Sequence, residues 1–151
     1  MIYIAGDHGG FEFKELIKKY FKKNKILFID FGPFKFDLKD DYPDFAKLVA
    51  DKISKNPKRD VGILFCRSGQ GVNILANKYK NVRGALVWET KDAMKSRQDN
   101  LTNVLSIPVD YISKTLAFKI IKIWLKTPMG RIPKHVRRVK KITEIEKENF
   151  K

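Results

Sequence analysis

Strand-like apolar runs alternate with helix-spaced amphipathic segments along this chain, and no other feature narrows the choice of fold as much. The runs fall at residues 2–5, 26–29, 61–65, 83–87 and 104–107. Between them, Phe13, Leu16, Ile17, Tyr20 and Phe21 recur at helical spacing within residues 11–22. Asp44 can cap a helix carrying Phe45, Leu48, Val49 and Ile53. A further helix is expected over residues 90–98. Another starts at Ser113, with Leu116, Ile120, Ile121, Ile123, Trp124 and Leu125. A basic C-terminal helix is expected from about Val136, with Val139, Ile142 and Ile145 on one face. Such repetition implies a parallel sheet with helices on both faces. The expected class is α/β, a three-layer αβα Rossmann-like arrangement with five parallel strands in the flavodoxin-like order 2-1-3-4-5 and a C-terminal helix. Strands one and three are then neighbours that diverge at a switch point, where ligands bind beyond the strands' carboxyl ends.

A chain of 151 residues fits one domain, 1–151, with 131–151 as a basic C-terminal segment. No apolar run approaches the ~20 residues of a membrane span. The start of the chain meets Asp7 too early for a signal peptide. One cysteine excludes an intrachain disulfide and a multi-cysteine metal site, and it fits a reducing cytoplasm. The net charge of +15 raises the question of nucleic acid. The lysines are spread along the chain, however, as solvated helix faces would have them, which argues against that partner. The denser cluster of Arg131, Lys134, Arg137, Arg138, Lys140 and Lys141 can hold a phosphate if it folds back over the crevice.

Two polar, glycine-bearing loops leave the strands that flank the switch point. Asp7-His8-Gly9-Gly10 follows the first strand, and Cys66-Arg67-Ser68-Gly69-Gln70-Gly71 follows the third. Glycine lets backbone approach an anion, and a following helix start offers unpaired N–H groups whose field favours a thiolate. Cys66 can be a small core residue or a reactive thiol, and its place before Gly-x-Gly favours reactivity. Val72 stands where a phosphatase loop would carry arginine, and Ile74 where a dinucleotide fingerprint would carry glycine. Asp7 can cap the next helix or bind a ligand, and His8 beside it can position a phosphate. Asp99 and Asn100 end a helix and can form a turn. An acidic group there costs about 0.3–1 kcal/mol, which hints at another use.

These pieces together resemble the sugar-phosphate isomerase family of type B ribose-5-phosphate isomerases and bacterial galactose-6-phosphate isomerases. The matching stretches are Gly6 to Phe11, Asp41-Tyr42-Pro43, Gly62 to Cys66, Ser68 to Gly71, Ala76-Asn77-Lys78, Arg83-Gly84-Ala85, Asn103-Val104-Leu105 and Arg137-Arg138-Val139. They keep the family's order from Met1 to about Ile142. The resemblance implies interconversion of ribose 5-phosphate and ribulose 5-phosphate through a cis-enediol(ate), with no cofactor and no metal. It implies Cys66 as the base at carbon, with Ser68, Asp99 and Asn100 assisting at the sugar oxygens. Asp7 would bind sugar hydroxyls. The amides from Ser68 through Gly69 and Gln70 to Gly71 would stabilise the oxyanion. His8, Lys134 and Arg138 would face the phosphate of a phosphorylated-sugar substrate. A homodimer with its active site at the subunit interface is implied as well. Asp99 stands where many members have histidine, Asp110 and Lys134 where they have arginine, Ser68 for threonine and Arg67 for glycine. Arg67 would supply positive charge to the substrate or point to solvent. The competing readings are an isomerase of allose 6-phosphate or galactose 6-phosphate, and a non-catalytic sugar-phosphate or nucleic-acid binder.

Overall fold

The computed structural model describes residues 1–150, and five parallel strands alternate with helices as the apolar pattern predicts. In chain order the elements are β1 (Ile2–Gly6), α1 (Phe11–Lys23), β2 (Phe28–Asp30), α2 (Tyr42–Lys55), β3 (Val61–Cys66) and α3 (Gln70–Ala76). They continue with β4 (Gly84–Leu86), α4 (Thr90–Asn100), β5 (Val104–Pro108), α5 (Lys114–Lys126) and α6 (Pro133–Asn149). Among the described residues no helix is long and apolar enough to cross a membrane.

The sheet order is β2-β1-β3-β5-β4, so the expected outer pair is exchanged. The reason lies in strand length and burial. All five residues of β5 are buried, whereas β4 is three half-buried residues. The longer apolar strand takes the inner position, bonded to β3 on one side and β4 on the other. The exchange leaves β1 beside β3, with Gly6 level with Phe65, so the two glycine-bearing loops emerge together.

Each face of the sheet carries its own apolar layer. On one side α1 and α5 contribute Phe13, Ile17, Phe21, Ile120, Ile121 and Trp124 against Ile4, Ile63, Phe65, Leu105 and Ile107. On the other, α2 and α3 lay Ala46, Val49, Ile53, Val72 and Ala76 on Tyr3, Leu64 and Val104. A fully buried Leu or Ile is stabilised by about 1.5–3 kcal/mol relative to exposure. The alternation of inward residues along β3 is therefore ample to hold both layers.

Three helix starts differ from expectation. The N-cap of α2 is Asp41 rather than Asp44, because Pro43 fits the first helical turn, where its missing N–H costs nothing. Pro133 likewise starts α6 three residues early. Gln70 and Gly71 already belong to α3. As expected, Ser113 caps α5, its hydroxyl accepting from the Leu116 N–H at 3.1 Å.

Candidate active site

The loops after β1 and β3 meet because glycine allows their backbones to touch. A side chain at Gly10 would stand 2.2 Å from the Phe65 carbonyl oxygen, and one at Gly6 would stand 2.9 Å from the same atom. Across this contact the Cys66 thiol donates to Asp7 Oδ2 at 3.2 Å. The other oxygen, Asp7 Oδ1, accepts the Gly10 N–H at 2.9 Å, so the carboxylate is fixed from behind. Both residues are buried.

The environment pushes the Cys66 thiol up to about 11. Burial is the main cause, followed by the charge of Asp7 and its hydrogen bond. The Gly69 and Ser68 N–H groups oppose them and do not win. The glycine turn thus favours the thiolate, as expected, but in the free protein burial and Asp7 outweigh it. The missing signals were the burial of the thiol and its contact with Asp7, neither of which a local reading of the turn reveals.

Gly69 occupies the left-handed region at φ 70°, and a side chain there would meet Leu86 and Pro108. The Ser68 hydroxyl accepts the Gln70 N–H at 3.3 Å. Tyr42 from the first turn of α2 lies over Gly71 and walls the cleft. Arg67 is exposed, and its side chain packs on Gly9. Asp110 is held through its N–H on the Arg67 carbonyl at 3.1 Å.

His8 completes this group. Its backbone N–H donates to Asp40 Oδ1 at 2.9 Å, and its ring Nδ1 lies 2.7 Å from the same oxygen. The hydrogen bond to Asp40 is the main cause holding His8 above the ordinary histidine range. Partial burial opposes it, and the charges of Asp7 and Asp40 add to it. Asp40 escaped the sequence reading because it sits in an acidic loop with no periodicity.

The remaining expected residues lie elsewhere. Asp99 and Asn100 end α4, at the amino end of β5, while Cys66 is level with Pro108 at the carboxyl end. The intervening strand alone spans about 13 Å. Lys134 and Arg138 are exposed on α6, which packs on α4. There His135 Nδ1 is 2.9 Å from Asp99 Oδ1, within ion-pair range but off the line of a hydrogen bond. Lys95 Nζ lies 3.7 Å from Asp99 Oδ2. A cavity of ≈ 640 Å³ opens beside Asp99, lined by Lys95, Gln98, Met129, Arg131 and Ile132 among others. This cavity therefore opens at the second cluster, away from the thiol. A thiol, a carboxylate, an imidazole and the turn's amides instead gather at the carboxyl ends of β1 and β3.

A thiol, a carboxylate and an imidazole at the switch point of an open parallel sheet define an α/β enzyme site suited to proton transfer on a small polar molecule. The chain belongs to the ribose/galactose isomerase family, whose sequence pattern matches residues 2–142. A similar solved structure is the ribose-5-phosphate isomerase B of Mycoplasma genitalium with bound ribulose 5-phosphate. It is 43% identical and covers 97% of this chain and 96% of its own, with a TM-score of 0.93. The Clostridium thermocellum ribose-5-phosphate isomerase B is 36% identical over 98% of both chains, with a TM-score of 0.91. The Mycobacterium tuberculosis ribose-5-phosphate isomerase B is 31% identical over 97% of this chain and 90% of its own.

Proposed function

We propose that this chain is an aldose–ketose isomerase that interconverts ribose 5-phosphate and ribulose 5-phosphate. The observation that carries the reading is the Cys66–Asp7 pair at the switch point, in a chain of this family. After ring opening, the Cys66 sulfur removes the proton from C2 and returns it to C1. The electrons of the C–H bond pass into a cis-enediolate. Asp7 accepts the hydrogen bond of the thiol in the free protein; when substrate binds, Asp7 turns to the sugar hydroxyls and the thiol proton passes to solvent, which leaves the thiolate that takes the C2 proton. Ser68 Oγ moves protons between the two sugar oxygens. The amides of Ser68 to Gly71 meet the negative oxygen, a contribution worth about 2.7–4 kcal/mol per donor in comparable holes. His8 faces the phosphate, and Arg67 lends positive charge from above Gly9.

The active unit is a homodimer. Asp99, Asn100, Lys134 and Arg138 lie at the end of the sheet remote from Cys66, so they cannot serve the thiol of their own chain. A two-fold axis can bring the second cluster of one chain onto the first cluster of the other. Ile74 on α3, Met94 on α4 and Ile142 and Ile145 on α6 are exposed apolar residues that such a contact would cover. In that arrangement Asp99 and Asn100 act at the ring and carbonyl oxygens, and Lys134 and Arg138 join His8 at the phosphate. The whole chain works as one isomerase domain in the cytoplasm.

The test is turnover of ribose 5-phosphate by the purified dimer, with kcat/KM compared across allose 6-phosphate and galactose 6-phosphate. A clear preference for ribose 5-phosphate is expected. No turnover of any pentose or hexose phosphate would overturn the reading.

A further inference from the structure

Asp40 has no part in the chemistry above, yet it is built into the cleft. Its side chain is only 8% exposed. Oδ1 takes both the backbone N–H and the ring Nδ1 of His8, at 2.9 and 2.7 Å. Oδ2 is buried with no hydrogen-bond partner among the described residues. A buried carboxylate with one bare oxygen is costly unless its neighbour carries the opposite charge. A protonated imidazole is the neighbour that meets this demand. With Nδ1 engaged, Nε2 is the ring nitrogen left for a ligand, and in the imidazolium it is a donor. The loop that carries Asp40 is tied to the sheet beside His8: the Phe31 N–H donates to the Ile4 carbonyl at 2.9 Å, and the Gly6 N–H to the Gly32 carbonyl at 3.0 Å. Asp40 itself is placed by its two contacts with His8 and by its N–H, which donates to the Asp37 carbonyl at 3.2 Å.

We propose that Asp40 is a positioning residue that keeps His8 as an imidazolium with Nε2–H free for the substrate phosphate, and so sets phosphate affinity and its upper pH limit. The proposal rests on the reading of His8 as a phosphate ligand. Two carboxylates act on His8, and two further titratable side chains lie next to its loop. Asp40 comes from the loop before α2 and Asp7 from its own loop. Cys66 from β3 is bound to Asp7, and Arg67 packs on Gly9. Two carboxylates against one guanidinium agree with the direction in which His8 is displaced. The sign is that of a raised base. The charged ring is fully present at acid pH and is lost as pH rises through its displaced midpoint.

The experiment compares wild type with Asp40→Asn, nearly isosteric, and with Asp40→Ala. The His8 ring is titrated by NMR in the free protein, where His135 is the only other histidine and His8→Asn assigns the signal. In Asp40→Asn the His8 midpoint is expected to move to lower pH. At pH 7.5, KM for ribose 5-phosphate and the inhibition constant of inorganic phosphate should both rise about tenfold, with kcat within about twofold. That penalty should shrink below pH 6, where His8 is protonated with or without Asp40. An unmoved midpoint would overturn the proposal while leaving His8 as a phosphate ligand if His8→Asn still weakens phosphate inhibition. A moved midpoint with phosphate inhibition unchanged in both Asp40→Asn and His8→Asn would overturn the reading of His8, and the proposal with it. A KM penalty equal at every pH would reduce Asp40 to a structural role and also overturn it.

Discussion

The Cys66 thiol and the Asp7 carboxylate come from adjacent parallel strands and stand 3.2 Å apart, with the thiol donating. The base proposed for the reaction is therefore stored with its proton on. Its thiolate has to form as substrate enters and takes Asp7 for its own hydroxyls. A carboxylate that turns from the thiol to the sugar would lower the barrier to ionisation at the moment the base is needed.

Alkylation reports this storage directly. Iodoacetamide should modify Cys66 of the free protein slowly at pH 7, and the rate should climb toward a midpoint near 11. Asp7→Asn should bring the midpoint down without returning it to an exposed thiol's value, because burial, the largest cause, remains. Folding stability is linked with a definite sign. A thiol raised in the folded state from 9.0 to about 11 adds stability that is complete below pH 9 and lost as pH rises through 11. A midpoint below 9 would contradict the geometry.

Cys66→Ala removes only the base. Turnover of ribose 5-phosphate should fall by about a hundredfold to ten-thousandfold, the range for a positioned acid–base group. Calorimetric binding of the same sugar should stay within about tenfold of wild type, because the phosphate and hydroxyl contacts are untouched. Residual turnover above about 1% of wild type would assign the carbon proton to another group.

Gly10→Ala tests the loop contact. The new methyl would meet the Phe65 carbonyl oxygen, which is backbone and cannot rotate away. The expected loss is about 1–3 kcal/mol, read as a lower urea midpoint with unchanged slope. Activity should fall further than stability alone explains, because the same contact sets the Cys66–Asp7 distance. A neutral result would mean that the two loops can part without consequence.

What the sequence discloses depends on whether the signal is local. Strand β3 and its glycine turn are legible because six consecutive residues carry their own pattern. The start of α2 was misplaced by a competing acidic residue, Asp44, although Pro43 already marked the first turn. The exchange of β4 and β5 was not legible, since it follows from which of two short strands buries more, a property of the assembled sheet. Asp40 and the state of the Cys66 thiol were hidden for the same reason. Each depends on a partner 32 or 59 residues away. Asp99 and Asn100 are singled out as an acidic helix end and take their roles from the family resemblance, yet their remoteness from Cys66 appears only once chain direction is traced along β5.

In the dimer proposed above, that remoteness would make each chain the donor of one half of a centre and the recipient of another. Two crippled proteins can then repair each other. A Cys66→Ala chain lacks the sulfur but keeps the α4 and α6 groups. An Asn100→Ala, Arg138→Ala chain lacks those groups but keeps the sulfur. When the two inactive preparations are unfolded together and refolded at equal amounts, half the dimers should be mixed. Each mixed dimer pools both defects in one centre and leaves the other whole. About a quarter of wild-type activity should return. Silence in the mixed sample would mean that every centre is drawn from one chain.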